Sequence, residues 1–214
     1  MKPLLPLLLL LTACTTARLD LPAGAYDVTG SNPRRWNAPI SFGQWRTEFV
    51  DEGTTRSWLA DLGVVQLGKA DQGYHLAIGT VDVECHTREF VIGRSGVFID
   101  PSFGGEPLLV CGYDYNGERS VLTLARTGGI EPTLRGTLRD ADGKSIEIKS
   151  LHRAVGAAIP SGEPFGFEIG NVAVVETINR GRVWIDPAAE DRDTLAAVAA
   201  SLLLFRDPEA GEVE

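Results

Sequence analysis

Glycine and proline interrupt this chain at short, regular intervals from about residue 25 onward, and no other feature constrains its fold as strongly. The sequence holds 24 glycines and 12 prolines in 214 residues. They recur roughly every eight to twelve residues, a spacing typical of turns between short strands. We therefore expect a mainly β domain over residues 25–206, folded as an antiparallel β-sandwich or as a barrel-like sheet.

The dipeptide Asn116-Gly117 predicts the register of one hairpin. Asn-Gly is typical of a type I′ turn, in which two residues join antiparallel strands. Such a turn sets three pairs of residues opposite each other: Cys111 with Leu122, Leu109 with Leu124, and Asp114 with Arg119. The apolar pairs share one face of the hairpin because side chains alternate along a strand, so we expect Cys111 to point into the core.

The segment Asp140-Ala141-Asp142-Gly143 is compatible with a calcium loop or with a tight turn. An EF-hand loop needs further oxygen ligands and a Glu at its twelfth position, which is Leu151 when counted from Asp140. A three-residue turn over residues 141–143 instead gives two regular cross-strand pairs: Leu138 with Ile146, and Gly136 with Ile148. We favour the turn, and we predict no metal site and no cofactor.

A third hairpin is expected to join residues 172–178 to residues 182–186, but its register is open. A three-residue turn over residues 179–181 pairs Val175 with Ile185, and Thr177 with Val183. A two-residue turn at Arg180-Gly181 pairs Ile178 with Val183. Both registers bring β-branched side chains together.

The apolar side chains of an upstream strand change parity near Gly79. Leu76 and Ile78 occupy one parity, whereas Val81, Val83 and Cys85 occupy the other. A glycine at such a phase change predicts a β-bulge or a bend.

A helical pattern is confined to the C-terminal part of the chain. Apolar residues recur there at i, i+3, i+4 and i+7: Leu195, Val198, Ala199 and Leu202. We predict a helix over about residues 190–205, followed by an acidic tail over residues 207–214. It is too short for a bilayer, which needs roughly 20 residues, so we expect its apolar stripe to cover one face or an open end of the sheet.

The first fourteen residues form a secretory signal. Lys2 precedes an apolar run over residues 4–11, and Leu11-Thr12-Ala13-Cys14 follows. These four residues resemble the lipobox of bacterial lipoproteins. The resemblance implies a signal peptide over residues 1–13, a lipid on Cys14, a tether over residues 14–24 and a Gram-negative envelope location. Because Thr15 rather than Asp follows the cysteine, it also implies the outer membrane, with the domain facing the periplasm.

Cys85 and Cys111 are expected to form a disulfide. Because the resemblance assigns Cys14 to a lipid and the domain to an oxidising compartment, an even pair of cysteines is left. The alternatives are two buried free thiols or a zinc site, but the chain has three histidines and no CxxC motif, which disfavours zinc. His86 alternates to the face opposite Cys85, and we interpret it as solvated.

The net charge of −9 at pH 7 argues against nucleic acid as a partner. Nucleic-acid binding needs clustered positive charge that displaces counterions. Attachment to a membrane would therefore depend on the lipid of Cys14, which can anchor a protein stably when it carries two or more acyl chains.

One segment departs from this acidic background by combining arginine with tryptophan: Arg34, Arg35, Trp36, Trp45 and Arg46. Both residue types dominate the hot spots of protein interfaces, so these five residues are our candidate partner surface. The alternative is that the tryptophans pack in the core and the arginine stems cover them.

The sequence contains no GxSxG, HExxH, P-loop or SxxK motif. We therefore expect a non-catalytic, lipid-anchored envelope lipoprotein that binds another periplasmic or outer-membrane protein. A first alternative is an inhibitor or immunity lipoprotein against a cell-wall hydrolase, because an acidic chain suits a basic enzyme. A second is an envelope hydrolase that uses dispersed carboxylates, since glycosidases need two.

Overall fold

The computed structural model describes residues 17–30, 39–52, 72–87, 107–127, 133–157 and 159–205. These ranges contain twelve strands and one helix, numbered here in chain order: β1 Tyr26–Asp27, β2 Ser41–Phe42, β3 Trp45–Glu52, β4 Gln72–Ile78, β5 Val81–Thr87, β6 Pro107–Tyr115, β7 Glu118–Thr127, β8 Thr133–Asp140, β9 Ser145–Leu151, β10 Gly166–Ile169, β11 Ala173–Glu176, β12 Arg182–Ile185 and α1 Arg192–Leu204. The mainly β fold with a C-terminal helix is confirmed.

All twelve strands belong to one antiparallel sheet that curls into a nearly closed barrel. The strand order is β1-β12-β11-β10-β9-β8-β7-β6-β5-β4-β3-β2. Its two edges meet at a bridge between Thr29 and Ser41, whose backbone N–H groups each donate to the other residue's carbonyl at 2.9 Å. Of the two predicted architectures, the barrel-like sheet is therefore the one observed.

The helix α1 packs against the inner face of the curled sheet, so of the two predicted placements, on one face or at an open end, the first is observed. It contacts β3, β4, β5 and β6 as well as β11 and β12, which lie in the other half of the sheet. Every residue from Leu195 to Leu203 is buried. The reason is that alanines and Ser201 flank the apolar stripe, so all sides of the helix are small or apolar and can pack against strands.

The first two predicted hairpins have the predicted registers. Strands β6 and β7 pair Cys111 with Leu122 and Asp114 with Arg119, around Asn116 at φ 53° and Gly117 at φ 88°. Strands β8 and β9 pair Leu138 with Ile146, and Gly136 with Ile148. Local turn chemistry was sufficient because no residue outside these hairpins is needed to define the turns.

The third hairpin has neither predicted register. Strands β11 and β12 pair Val175 with Val183, so residues 177–181 all lie in the loop. Thr177 leaves the ladder because its N–H donates to the Phe165 carbonyl at 2.9 Å. The three-residue prediction is displaced by two residues, an even number, so Val175 and Val183 still share one face of the hairpin, as predicted.

Gly79 is not a bulge, contrary to the prediction. Residues 79–80 form a two-residue turn between β4 and β5, and Ile78 lies opposite Val81. Gly79 has φ 58°, a conformation that glycine adopts without steric cost. The change of parity arises because residues that face each other across a two-residue turn share one side of the sheet.

The barrel has two chemically different ends. At one, which we call the turn end, tight turns join β4 to β5, β6 to β7, β8 to β9 and β10 to β11. At the other, the loop end, β9 connects to β10 and β11 connects to β12. The helix runs from the turn end, where Asp193 contacts Trp45, to the loop end, where Leu203 lies close to Gly181.

Candidate functional site

An open cleft of about 660 Å³ lies at the turn end, between the β6–β7 and β8–β9 hairpins and the start of α1. Apolar side chains among those that line it include Leu138, Ile146 and Val172, which we call its floor. Five carboxylates line it: Glu118, Asp140, Asp142, Glu190 and Asp191. Two basic side chains, Arg119 and Lys144, also line it, so acidic groups outnumber basic ones.

The hairpin turns hold the rim of this cleft in place. Asp140 Oδ1 accepts the Lys144 N–H at 2.8 Å, which closes the β8–β9 turn with Gly143 at φ 84°. Asp114 Oδ1 accepts the Gly117 N–H at 2.9 Å. Tight turns of this kind lose little entropy on binding because they are already ordered, so the rim is a preformed surface.

The chemistry of the cleft suits a basic, partly apolar ligand. Exposed carboxylates around an apolar floor attract lysine or arginine side chains and leave room for an aliphatic contact below them. Within the described ranges, no group of three or more histidine, cysteine or acidic side chains is arranged to hold a metal ion. The cleft is therefore our candidate functional site, as a binding surface for positive charge.

Sequence reasoning did not assemble this cleft, although it named several of its residues for other reasons. Asp140 and Asp142 were assigned to a turn, and Glu190 and Asp191 to a helix start. The missing signal was topological: in an up-and-down sheet, alternate turns lie at the same end. A helix that enters the barrel at that end adds its first residues to the same rim.

The structure describes two of the five residues of the predicted partner surface, Trp45 and Arg46. Trp45 is 4% exposed, and its Nε1 donates to Asp193 Oδ1 at 2.8 Å, so the core-packing alternative is correct for this residue. The Arg192 guanidinium carbon lies 5.1 Å from the centre of the Trp45 ring. Arg46 is exposed, and Arg34, Arg35 and Trp36 lie outside the described residues.

The predicted disulfide is present. Cys85 and Cys111 lie opposite each other on β5 and β6, and their sulfur atoms are bonded at 2.06 Å. Both residues are fully buried, as the inward direction of Cys111 predicted. On the chain-entropy model a loop of this size contributes about 3–4 kcal/mol to stability. Cys14, the predicted lipidation site, lies outside the described residues, as does the acidic tail.

His86 is buried, contrary to its interpretation as a solvated residue. It shares the face opposite Cys85 with Glu84, which is buried as well, and Nε2 of His86 lies 3.4 Å from Glu84 Oε1. Nearby, His75 Nε2 lies 2.5 Å from Asp82 Oδ1. Burial lowers the pKa of His86 below its ordinary value of 6.5, so the ring is neutral at pH 7 and adds no positive charge to the barrel wall.

Comparison with protein-family models, with curated proteins and with solved structures finds no match to this chain. None of the helices within the described residues is long and apolar enough to cross a membrane. Inference about function therefore depends on the chemistry of the sequence and on the geometry of the cleft.

Proposed function

We propose that this protein is a lipid-anchored lipoprotein of the outer membrane, facing the periplasm, and that it binds another envelope protein without catalysing a reaction. The observation that carries the proposal is the cleft at the turn end, with five carboxylates around an apolar floor. The lipobox-like sequence Leu11-Thr12-Ala13-Cys14 supplies the anchor in this proposal.

The cleft supports binding through two separable contributions. Exposed ion pairs are individually weak, on the order of 0.2–1 kcal/mol, so the acidic rim would mainly accelerate association and select a basic partner. Affinity would come from apolar contact with the floor, where Leu138 and Ile146 lie opposite each other in the β8–β9 hairpin. A basic loop or helix with one or two aliphatic side chains fits both requirements.

Basic cell-wall hydrolases are partners of this kind. If the partner is such an enzyme, the protein is an inhibitor or immunity lipoprotein, which is a specific form of the same proposal. The second candidate function, an envelope hydrolase, is favoured by the same carboxylates, because two of them could share acid and base roles. The two candidates differ in what the carboxylates must do: a binding rim needs their charge, whereas catalysis needs particular carboxyl groups.

Crosslinking in intact envelopes tests this proposal. We expect the wild-type protein to capture one stoichiometric basic protein, and the double variant Asp142→Lys with Glu190→Lys to lose it. Glu48→Lys, a change at an exposed position on β3, is the matched control and should retain capture. Retention of the partner by the cleft variant would refute the proposal.

The hydrolase alternative is separated by neutral variants. Asp142→Asn and Glu190→Gln should each weaken capture only partly. The loss should be largest at low salt, because salt screens the attraction between exposed charges. If the wild-type protein hydrolyses purified peptidoglycan and one of these variants does not, the hydrolase candidate replaces the binding candidate.

A further inference from the structure

The N-terminal segment is fastened to the loop end of the barrel. Leu19 is 5% exposed. Its N–H donates to Glu176 Oε2 at 2.7 Å, and its carbonyl accepts from Arg182 Nη2 at 2.8 Å. Arg182 also donates to the buried Glu176 carboxylate. We call these bonds among Leu19, Glu176 and Arg182 the clamp. Because the clamp holds Leu19, the predicted tether over residues 14–24 is not free along its whole length.

Two further bonds fix the residues just before Leu19. Asn179, in the β11–β12 loop, donates from Nδ2 to the Ala17 carbonyl at 2.8 Å. Val155, in the β9–β10 connection, donates its N–H to the Arg18 carbonyl at 2.8 Å. From Ala17 back to Cys14 there are three residue steps, which span at most about 11 Å. A lipid on Cys14 would thus hold the loop end close to a bilayer.

The loop end exposes apolar side chains at this point. Among the described residues, the large hydrophobic side chains with high exposure are Val155 at 65% and Ile159 at 81%. Both belong to the β9–β10 connection, which is closed at its base by His152: its carbonyl accepts the Ser161 N–H at 2.7 Å, and its Nδ1 lies 3.0 Å from the Ser161 carbonyl. Val155 and Ile159 are therefore exposed on a connection whose two ends are hydrogen-bonded to each other.

Exposed arginines lie on the segments that adjoin these two side chains. Arg18, Arg153 and Arg180 are all exposed and belong to the segments that the bonds above join. Two carboxylates on these segments and the adjoining turn are exposed, Asp20 and Glu163, and Asp27, opposite Arg182 at the end of β1, is a third. The three exposed arginines are thus matched by three carboxylates, so the described part of the loop end is close to neutral, although the whole chain carries a net charge of −9. Apolar side chains flanked by basic ones are typical of surfaces that lie in a lipid headgroup layer.

We infer that Arg18, Arg153, Val155, Ile159 and Arg180, which we call the loop-end patch, lie against the bilayer, with the apolar side chains in the layer of anionic headgroups. This inference rests on the proposed lipid anchor. It goes further by giving the barrel an orientation: the cleft lies at the opposite end and faces away from the membrane. Arginine side chains near an anionic surface are attracted to it only modestly, so the patch adds to the anchor without replacing it.

The test uses the full lipidated protein on vesicles of phosphatidylethanolamine and phosphatidylglycerol that carry a headgroup quencher. A fluorophore is attached through Ile159→Cys, or through Asp142→Cys as the matched control at the turn end. The new thiol reacts selectively because Cys85 and Cys111 are joined. We expect several-fold stronger quenching at position 159 than at position 142, and a smaller difference with Arg153→Glu but not with Lys144→Glu.

The possible outcomes separate the orientation from the anchor. Partition into vesicles with equal quenching at both positions would overturn the orientation and leave the anchor intact. Failure to partition would overturn both. Shielding of position 159 that requires a second protein rather than lipid would also overturn the inference, because the patch would then be a protein interface.

Discussion

The turn end and the loop end of the barrel are built from the same sheet but carry opposite chemistry. At the turn end, short turns present carboxylates around an apolar cleft. At the loop end, the buried Glu176 pairs with the half-buried Arg182, and Val155 and Ile159 are exposed. The contrast teaches that the buried charge of Glu176 fastens the N-terminal segment, whereas most carboxylates of the turn end are exposed and make no such link.

The clamp at the loop end should dominate stability. Glu176→Gln removes the charge that Arg182 faces, and it weakens the bond from the Leu19 N–H and the bond from Arg182, which in turn holds the Leu19 carbonyl. Breaking a buried pair typically costs about 3–5 kcal/mol, so we expect a loss near the lower end of that range in urea denaturation, together with faster proteolysis after Arg18. Glu190→Gln at the turn end is the control and should change stability little. Equal losses in both variants would contradict the contrast.

Two glycines offer a matched comparison of the ends. Gly181 and Gly117 have similar φ values, 83° and 88°, so alanine is strained at either position by about 1–2 kcal/mol. A Cβ at Gly181 would also lie 2.9 Å from Leu203 Cδ2 on the helix, whereas one at Gly117 would meet nothing within 4 Å.

We therefore expect Gly181→Ala to cost about 1–3 kcal/mol more than Gly117→Ala, the usual range for overpacking. Thermal denaturation of the two variants measures the difference. Identical midpoints would show that the helix can move at the loop end.

The pH dependence of stability should arise in the barrel wall rather than at either end. Burial lowers the folded-state pKa of His86, so below about pH 6.5 the unfolded chain binds a proton that the folded chain resists. Stability should therefore fall as the pH drops from 7.5 to 5.5, with this residue contributing at most about 1.4 kcal/mol per pH unit.

His86→Gln should flatten this slope when denaturation is measured across the range. Val110→Ala is the control, because Val110 lies opposite His86 on β6 and is buried but does not titrate. It should lower stability evenly at every pH. A slope that is unchanged in His86→Gln would assign the pH dependence to other groups.

The sequence predicted correctly the two hairpin registers that the turn residues alone determine. Asn116-Gly117 and Gly143 fixed two registers because turn geometry alone sets the partners beside them. The β11–β12 register could not be obtained this way, because Thr177 bonds to Phe165, a partner distant in sequence. The same limit applied to Trp45, whose burial depends on Asp193 at the far end of the chain.

The burial of Glu84 and His86 was missed for a related reason. Alternation along β5 assigned them correctly to the face opposite Cys85, but alternation does not say whether that second face meets solvent. The cleft was missed because its carboxylates come from three separate places in the sequence and meet only when the turns are stacked at one end. Its acidic character, by contrast, agrees with the net charge of the whole chain.

Two surface variants, one at each end of the barrel, should have the smallest effect on stability and should separate the roles of the two ends most clearly. Asp142→Lys and Arg153→Glu both change exposed side chains, so neither should shift the thermal midpoint measurably. Each variant should affect only one kind of association, with the basic partner or with the vesicle. Asp142→Lys should slow association with the basic partner several-fold at low salt, and this effect should fade at high salt because the rim charges are screened. The same variant should leave quenching at position 159 on vesicles unchanged. Arg153→Glu should do the reverse. If either variant impairs both measurements, the two ends do not act independently, and the division between a recognition end and a membrane end is wrong.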